Sequence, residues 1–335
     1  MKEVSMAMAK INEAATAGST VDMSELLNSF SNDMACRIVS GKFFLKDGRS
    51  KLFRELIRLL GGFNLEEYFP ALGRVGVLKR VVCTKAERVR NRWADLLDKV
   101  IDDRVSKRKS ASDHKDGDFV DILLSVQQEY NLTREHMKAL LIDVFFGATD
   151  TSANVLEFTL AELMRRPHFM GKLQDEVRSI VPRGQEIVSE TELNNMVYLR
   201  AVIKESLRLY PIAPLLAPHL AWLTVPSTDT WFLQGRVSSS MHGPLGGIRA
   251  PGRMLKSSYL KDLQMKGNDF QFLPFGAGRR ICPGINLGIA NVELMLANIM
   301  NHFDWELPIG VERKDIDMTE VFGISIRRKE KLLLI

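Results

Sequence analysis

The stretch from Arg134 to Arg166 keeps an apolar helical pattern with no breaker inside it, opened by Thr133 as an N-cap and closed by Pro167. About 33 residues rising roughly 1.5 Å each give a rod on the order of 50 Å, long enough to cross a whole domain. Whatever this chain folds into must be arranged around that helix. The rest of the sequence agrees with it. "DMSELLNSFSNDMACRIVSGKFF" places Leu26, Leu27, Phe30, Met34 and Ile38 at three- and four-residue steps. "KAERVRNRWADLLDKVIDDRVSKR" places Val89, Trp93, Leu96, Leu97 and Val100 on one face of a charged helix. "RKSASDHKDGD" interrupts the pattern as an exposed loop and "FVDILLSVQQEY" resumes it. Further helices are predicted over Pro167–Val181, about Leu199–Leu209, and after Pro283, and the C-terminal "ISIRRKEKLLLI" suits a short strand pair. The predicted class is mainly α with a small β portion.

The 335 residues, 45% hydrophobic and 26% charged, are enough for a substantial core, which excludes wholesale disorder. A net charge of +5 is mild and is not gathered into a stripe, so no nucleic-acid partner is expected. The three cysteines, Cys36, Cys83 and Cys282, are widely spaced and odd in number, which fits a reducing compartment. No apolar run approaches the roughly 20 residues of a membrane span. "MKEVSMAMAKINEAA" reads as helix, not as a signal peptide, so no membrane anchor is expected in the chain as written.

The sharpest motif is "FLPFGAGRRICPGINLGIANVELMLA". Gly276, Gly278 and Gly284 bracket two arginines and Cys282, and glycine allows close approach to something flat or bulky. Cys282 stands just before Pro283 and a helix, where the helix N-terminus and Arg280 both favour a thiolate. A lone thiolate on a glycine loop is what a haem iron needs as an axial ligand. A buried cysteine in an ordinary turn is the competing reading of any single cysteine.

With the spacing Phe275-x-x-Gly278-x-Arg280-x-Cys282-x-Gly284, the chain resembles the cytochrome P-450 family, in particular the plant microsomal type. The resemblance implies a cytochrome P-450 fold, incomplete here, with haem (iron protoporphyrin IX) as cofactor. Cys282 would ligate the iron, Phe275 would pack beside the sulfur, and Arg280 would pair with a propionate, with Gly278 and Gly284 completing the loop. "KESLRLYP" sets Glu205 and Arg208 three residues apart on one helical face. In the family the matching pair joins a second Arg to brace the haem loop. His219 falls where a second propionate ligand is often found. In "FFGATDTSANV", Thr149, Asp150 and Thr151 are poor helix formers, and the resemblance assigns Asp150 and Thr151 to proton delivery. Ala148 stands where many members carry Gly at a local helix distortion. The implied substrate lining is Phe146, Gly147, Ile212, Ala213, Leu215, Val321, Phe322 and Gly323, an apolar set that a core would explain equally well.

Two departures accompany the resemblance. Members normally begin with a membrane anchor, a Pro-rich hinge, a β region and a helix bearing haem-propionate ligands, none of which precedes Met1. Residues 1–335 therefore read as a single incomplete catalytic domain. Between His219 and Lys266 the family's strand pair and Pro-Glu-Arg-Phe-like segment are also not recognisable. Codon logic suggests why. Joining the last base of each codon to the first two of the next gives valine across Trp231–Phe232 and alanine across Met241–His242. With permissible codons, Thr228–Lys261 can read GYxVPAGTRVxINAWAFGRNPSTWEDAEEFIPE, a segment typical of plant cytochromes P-450. Residues 224–262 are thus expected to be aberrant and poorly ordered, displaced in frame near residue 224 and restored near Asp262.

The function implied is a haem-thiolate monooxygenase. It would use O2 and electrons from NADPH-cytochrome P-450 reductase to hydroxylate a small hydrophobic specialised metabolite, on the cytoplasmic face of the endoplasmic reticulum. "GNDFQFLPFGAGRRICPG" and "VFFGATDTS" resemble specialised-metabolism hydroxylases of grass type, for which indole-derived compounds are one substrate class among others. An inactive, truncated product of the same ancestry that does not bind haem productively is the alternative, and a cofactor-free helical interaction module is a third.

Overall fold

Thr133 does open the long helix. Its Oγ1 accepts a hydrogen bond from His136 N (3.2 Å), and the helix runs unbroken over Arg134–Arg165 (α5) before Pro167 starts the next. The computed structural model describes residues 1–41, 52, 55–57, 59, 76–110, 117–216, 219–220, 225–226, 231–232, 237–238, 265 and 272–335. The elements along the chain are α1 (Lys2–Thr16), β1 (Val21–Asp22), α2 (Met23–Ser40), α3 (Gly76–Ser110), α4 (Phe119–Ser125), α5, α6 (Pro167–Ile180), α7 (Glu190–Leu193) and α8 (Val197–Leu209). After them come β2 (His219–Leu220), β3 (Val225–Pro226), β4 (Trp231–Phe232), β5 (Val237–Ser238), α9 (Ile285–His302), β6 (Glu320–Val321), β7 (Arg327–Arg328) and β8 (Leu333–Leu334). The fold is mainly helical, and the strands are two residues each.

The helical bounds fall close to those read from the sequence. α3 begins well before Lys85, and it continues to Ser110, into the run read as a loop; residues 111–116 lie outside the described residues. α4 ends at Ser125, sooner than "FVDILLSVQQEY" suggested. Of the described residues, α5 alone is long and apolar enough to cross a membrane, although no apolar run in the sequence had suggested a span. Its Leu156, Phe158, Leu160 and Ala161 are wholly buried, as expected of a core helix.

The chain divides into two compact units, Asp33–Ala148, and Met1–Asn32 together with Thr149–Ile335. In the Asp33–Ala148 unit, Val89, Trp93, Leu97 and Ile101 form the buried stripe of α3 and cluster with Met137, Leu141 and Phe145. The rings of Trp93 and Phe145 sit 5.6 Å apart and tilted by 52°, an arrangement that ring quadrupoles favour. Arg104 pairs with Asp118 and donates to Ser40 O (2.6 Å), while Asp118 and Asp121 form the capping box of α4.

In the other unit, α9 packs against α1, α6 and α8, with Met295, Leu296, Ile299 and Met300 fully buried. The C-terminal segment does form strands, but β7 and β8 do not pair with each other. β7 pairs with β6 (Val321 opposite Arg327) and β8 pairs with β1 (Val21 opposite Leu334), both antiparallel. The sequence suggested a local hairpin because these strands are neighbours in the chain, and the partner of β8, more than 300 residues away, leaves no local pattern. Between His219 and Ser238, where no strand pair was recognisable, two antiparallel ladders nest: β2 with β5 and, inside them, β3 with β4. Val225, Trp231, Phe232 and Val237 are β-formers, which accounts for the pairing in the frame as written. Apart from these strands, the expected aberrant segment 224–262 lies outside the described residues.

Candidate functional site

The glycine loop closes on itself. Cys282 N donates to Phe275 O (2.9 Å), Gly276 N to Leu273 O (3.1 Å), and Ile281 N to Gly278 O (3.2 Å), with a 3-10 turn over Gly278–Arg280. Gly276 (φ +76°) and Gly278 (φ +69°) adopt left-handed backbone that a side chain resists, and this is how the chain turns within so few residues. The loop presents Cys282, Arg279 and Arg280 to solvent and keeps Phe275 half-buried. Gly284 caps α9, and a Cβ there would stand 3.8 Å from Cys282 Sγ. The sulfur therefore sits beside the residue that caps a long helix. Among the described residues no group of three or more His, Cys, Asp or Glu could cage a metal ion. A single accessible thiol suits a prosthetic group that brings its own equatorial ligands and takes one axial donor from the protein.

The turn over Ala213–Leu216 adjoins the loop. Leu216 presents Cδ1 3.6 Å from where a Gly276 Cβ would lie, and Leu216 itself holds φ +52°, unusual for a side-chain-bearing residue. Leu216 N donates to Ala213 O (3.0 Å), closing a turn over Ala213–Leu216. Ile212 is buried, and its carbonyl accepts from Ile326 N (2.7 Å), which ties the turn to the hairpin of β6 and β7. Among the lining residues read from the sequence, Ile212, Ala213 and Leu215 are thereby joined to the chain that carries Val321, Phe322 and Gly323. Within it Val321 is half-buried, whereas Phe322 is 71% exposed.

Asp150 and Thr151 are half-buried on α5, which passes through them as regular helix, with no distortion where Ala148 replaces the family's glycine. Burial raises the Asp150 carboxyl above the usual carboxylate range, against an opposing pull from the Arg327 charge. Phe146 and Gly147, on the preceding turn, belong to the Asp33–Ala148 unit; Phe146 is half-buried and Gly147 exposed with open space around its Cα. His219 contributes backbone pairing to Ser238, and its side chain lies outside the described residues.

Glu205 and Arg208 form a two-pronged ion pair, Nε to Oε2 at 2.7 Å and Nη2 to Oε1 at 2.8 Å, with the side chains 1% and 5% exposed. Any second Arg completing that brace, Arg249 and Arg253 included, lies outside the described residues. Sequence reasoning missed a second buried pair. Glu157, seven residues beyond Asp150, accepts from Ser24 Oγ (2.8 Å) and from Arg328 Nη1 (3.4 Å), while Arg328 Nη2 donates to Asp317 O (2.7 Å). The available signal was two acids two turns apart on one helix and two consecutive arginines in "ISIRRKEK".

The sequence has relatives among known proteins. The model of the cytochrome P-450 family matches residues 1–222 and 251–335 and passes over 223–250. The whole chain is 49% identical to indole-2-monooxygenase of Zea mays, covering 65% of that protein. It is 43% identical to indolin-2-one monooxygenase (66% of its length) and 41% identical to 3-hydroxyindolin-2-one monooxygenase (65%), both also from Zea mays. The chain thus spans a little under two thirds of the length of these relatives.

Proposed function

This chain belongs to the cytochrome P-450 family, and on that premise we propose that it is the greater part of a haem-thiolate monooxygenase acting on a small hydrophobic specialised metabolite, of the indole-derived class that its relatives' names carry. Cytochrome P-450 proteins bind haem, which when bound supplies the oxygen-activating chemistry. Cys282 would hold the haem iron through its thiolate, and the observation that carries this reading is its solvent-facing sulfur on a closed loop at the start of α9. Arg280 and His219 would hold the propionates, and Phe275 would shield the sulfur. Asp150 takes a proton from solvent and passes it through the Thr151 hydroxyl toward the site. Glu205 and Arg208 brace the loop from α8. Ile212, Ala213, Leu215, Val321, Phe322 and Gly323 present apolar surface to the substrate. Electrons come from NADPH-cytochrome P-450 reductase at the cytoplasmic face of the endoplasmic reticulum.

The test is to load the chain with haem and record the spectrum of the reduced, carbon-monoxide-bound form. A thiolate-type Soret band that Cys282→His converts to an imidazole-type band supports the assignment. A band unchanged by that substitution sinks it.

A second reading, a product that cannot bind haem productively, is favoured by one observation: the family match passes over 223–250, inside the segment whose shifted codons spell a family-like peptide. Stoichiometric haem binding with a thiolate spectrum rejects this reading. A nucleotide sequence whose other frame lacks that peptide removes its cause.

A further inference from the structure

The guanidinium of Arg328 joins three pieces of chain. Arg328 lies on β7, opposite Glu320 of β6. Its Nη2 and Nε donate to Asp317 O (2.7 and 3.2 Å), just ahead of β6, and its Nη1 donates to Glu157 Oε1 on α5 (3.4 Å). The same carboxylate oxygen accepts from Ser24 Oγ (2.8 Å), and Ser24 Oγ accepts from Leu332 N (2.9 Å). One side chain thus bonds both arms of the β6–β7 hairpin to each other and to α5. The Arg328 and Glu157 side chains are 2% and 7% exposed. A second attachment lies two residues back along the hairpin, where Ile326 N donates to Ile212 O (2.7 Å). The chain between Asp317 and Ile326 carries Val321, Phe322 and Gly323.

Burial raises the Glu157 carboxyl and lowers the Arg328 guanidinium, so desolvation works against both charges. A buried ion pair commonly stabilises a fold less than an apolar pair of the same volume. What it supplies instead is direction, because charge-assisted bonds to fixed acceptors are satisfied in one placement only. We propose that Glu157 and Arg328 are positioning residues, which fix the β6–β7 hairpin against α5 and thereby set where Val321, Phe322 and Gly323 meet the substrate. The inference rests on the reading of those three residues as substrate lining and adds what holds them in place. With the ion pair gone, the bond from Ile326 to Ile212 remains, and the hairpin keeps its fold but not its single placement.

The experiment uses the full chain with Glu157→Gln, Arg328→Lys, the double variant Glu157→Leu/Arg328→Met, and Val321→Ala as a direct probe of the lining. Urea midpoint and hydrogen exchange at the Ile326 and Lys329 amides are measured without haem, and affinity for indole is measured on the haem-loaded chain. The double variant removes both charges and strands neither. It is expected to match or exceed the parent's urea midpoint. Exchange at Ile326 and Lys329 should nevertheless quicken about tenfold, as for a lost charge-assisted hydrogen bond. Indole affinity should fall about tenfold, as for a displaced apolar contact. Glu157→Gln and Arg328→Lys should show both losses together with a lowered midpoint. Parental exchange in the double variant overturns the clamp. Quickened exchange with parental indole affinity, while Val321→Ala weakens indole, overturns the positioning role and leaves the lining reading standing. If Val321→Ala binds indole as the parent does, the lining reading itself falls, and the positioning role with it.

Discussion

Glu205 and Arg208 lie one helical turn apart on α8 and are joined by two parallel hydrogen bonds of 2.7 and 2.8 Å, with neither side chain more than 5% exposed. At such depth each charge depends on the other. Removing one leaves its partner's charge under-compensated in low dielectric, and that cost exceeds the worth of the pair itself. Glu205→Gln is therefore expected to destabilise the chain by about 3–5 kcal/mol, read as a fall in urea midpoint. Arg208→Lys, which cannot reproduce the planar fork, is expected to lose a large share of the same stability. A surface-like loss below about 0.5 kcal/mol for either would show that the pair is not buried in solution.

The helix carrying that pair is started by a residue from another helix. Met196 has no capping side chain, and the carboxylate of Glu176 on α6 instead accepts from Tyr198 N (2.7 Å) and Leu199 N (2.8 Å). One carboxylate thus satisfies two of the four orphan donors of α8 and faces the positive end of its dipole. Glu176→Ala is expected to cost about 1–2 kcal/mol, the upper range for a lost cap, and Glu176→Gln less. Hydrogen exchange should quicken first at Tyr198 and Leu199, and equal protection there in Glu176→Ala would refute the cap.

Much of this was legible from residues a turn apart. The Glu205–Arg208 spacing, the Thr133 cap and the Pro167 stop are local signals, and each corresponds to a contact made within a few residues of chain. Glu176 capping α8, Glu157 meeting Arg328 and β8 meeting β1 are contacts across 20 to more than 300 residues, for which no periodicity exists to read. The glycine loop is intermediate. Gly276 and Gly278 announce a tight turn, but the left-handed Leu216 that packs against it carries no sequence signature.

Tyr210 gives a pH-dependent outcome at the alkaline end. Its ring stacks on Phe158 (4.6 Å, 13°) and its hydroxyl donates to Glu162 Oε2 (3.1 Å). Burial and the Glu162 charge push the phenol up from 10.0 to about 12. A raised folded value means that the stabilisation is whole below the unfolded value near 10.0 and is lost as pH climbs through about 12. Stability should therefore fall between about pH 10 and 12, and Tyr210→Phe, which has no proton to lose, should flatten that decline while sacrificing the bond to Glu162. Ultraviolet titration of phenolate, compared between the two proteins, measures it directly; a Tyr210 ionisation near 10.0 contradicts the burial described.

Cys282 separates stability from chemistry. Its side chain faces solvent, while the contact that closes the loop is made by its backbone N to Phe275 O (2.9 Å), which any residue but proline could supply. Cys282→Ser should therefore leave the haem-free chain's unfolding midpoint within about 0.5 kcal/mol of the parent, as exposed substitutions do. Gly278→Ala, which forces a side chain into φ +69°, should lower it by about 1 kcal/mol or more although the site around it is empty. With haem supplied, the order reverses: Cys282→Ser loses the thiolate spectrum outright, whereas Gly278→Ala retains it at reduced occupancy. A large loss of haem-free stability in Cys282→Ser would mean that the cysteine serves the fold, and the exposed sulfur would no longer single it out as a ligand.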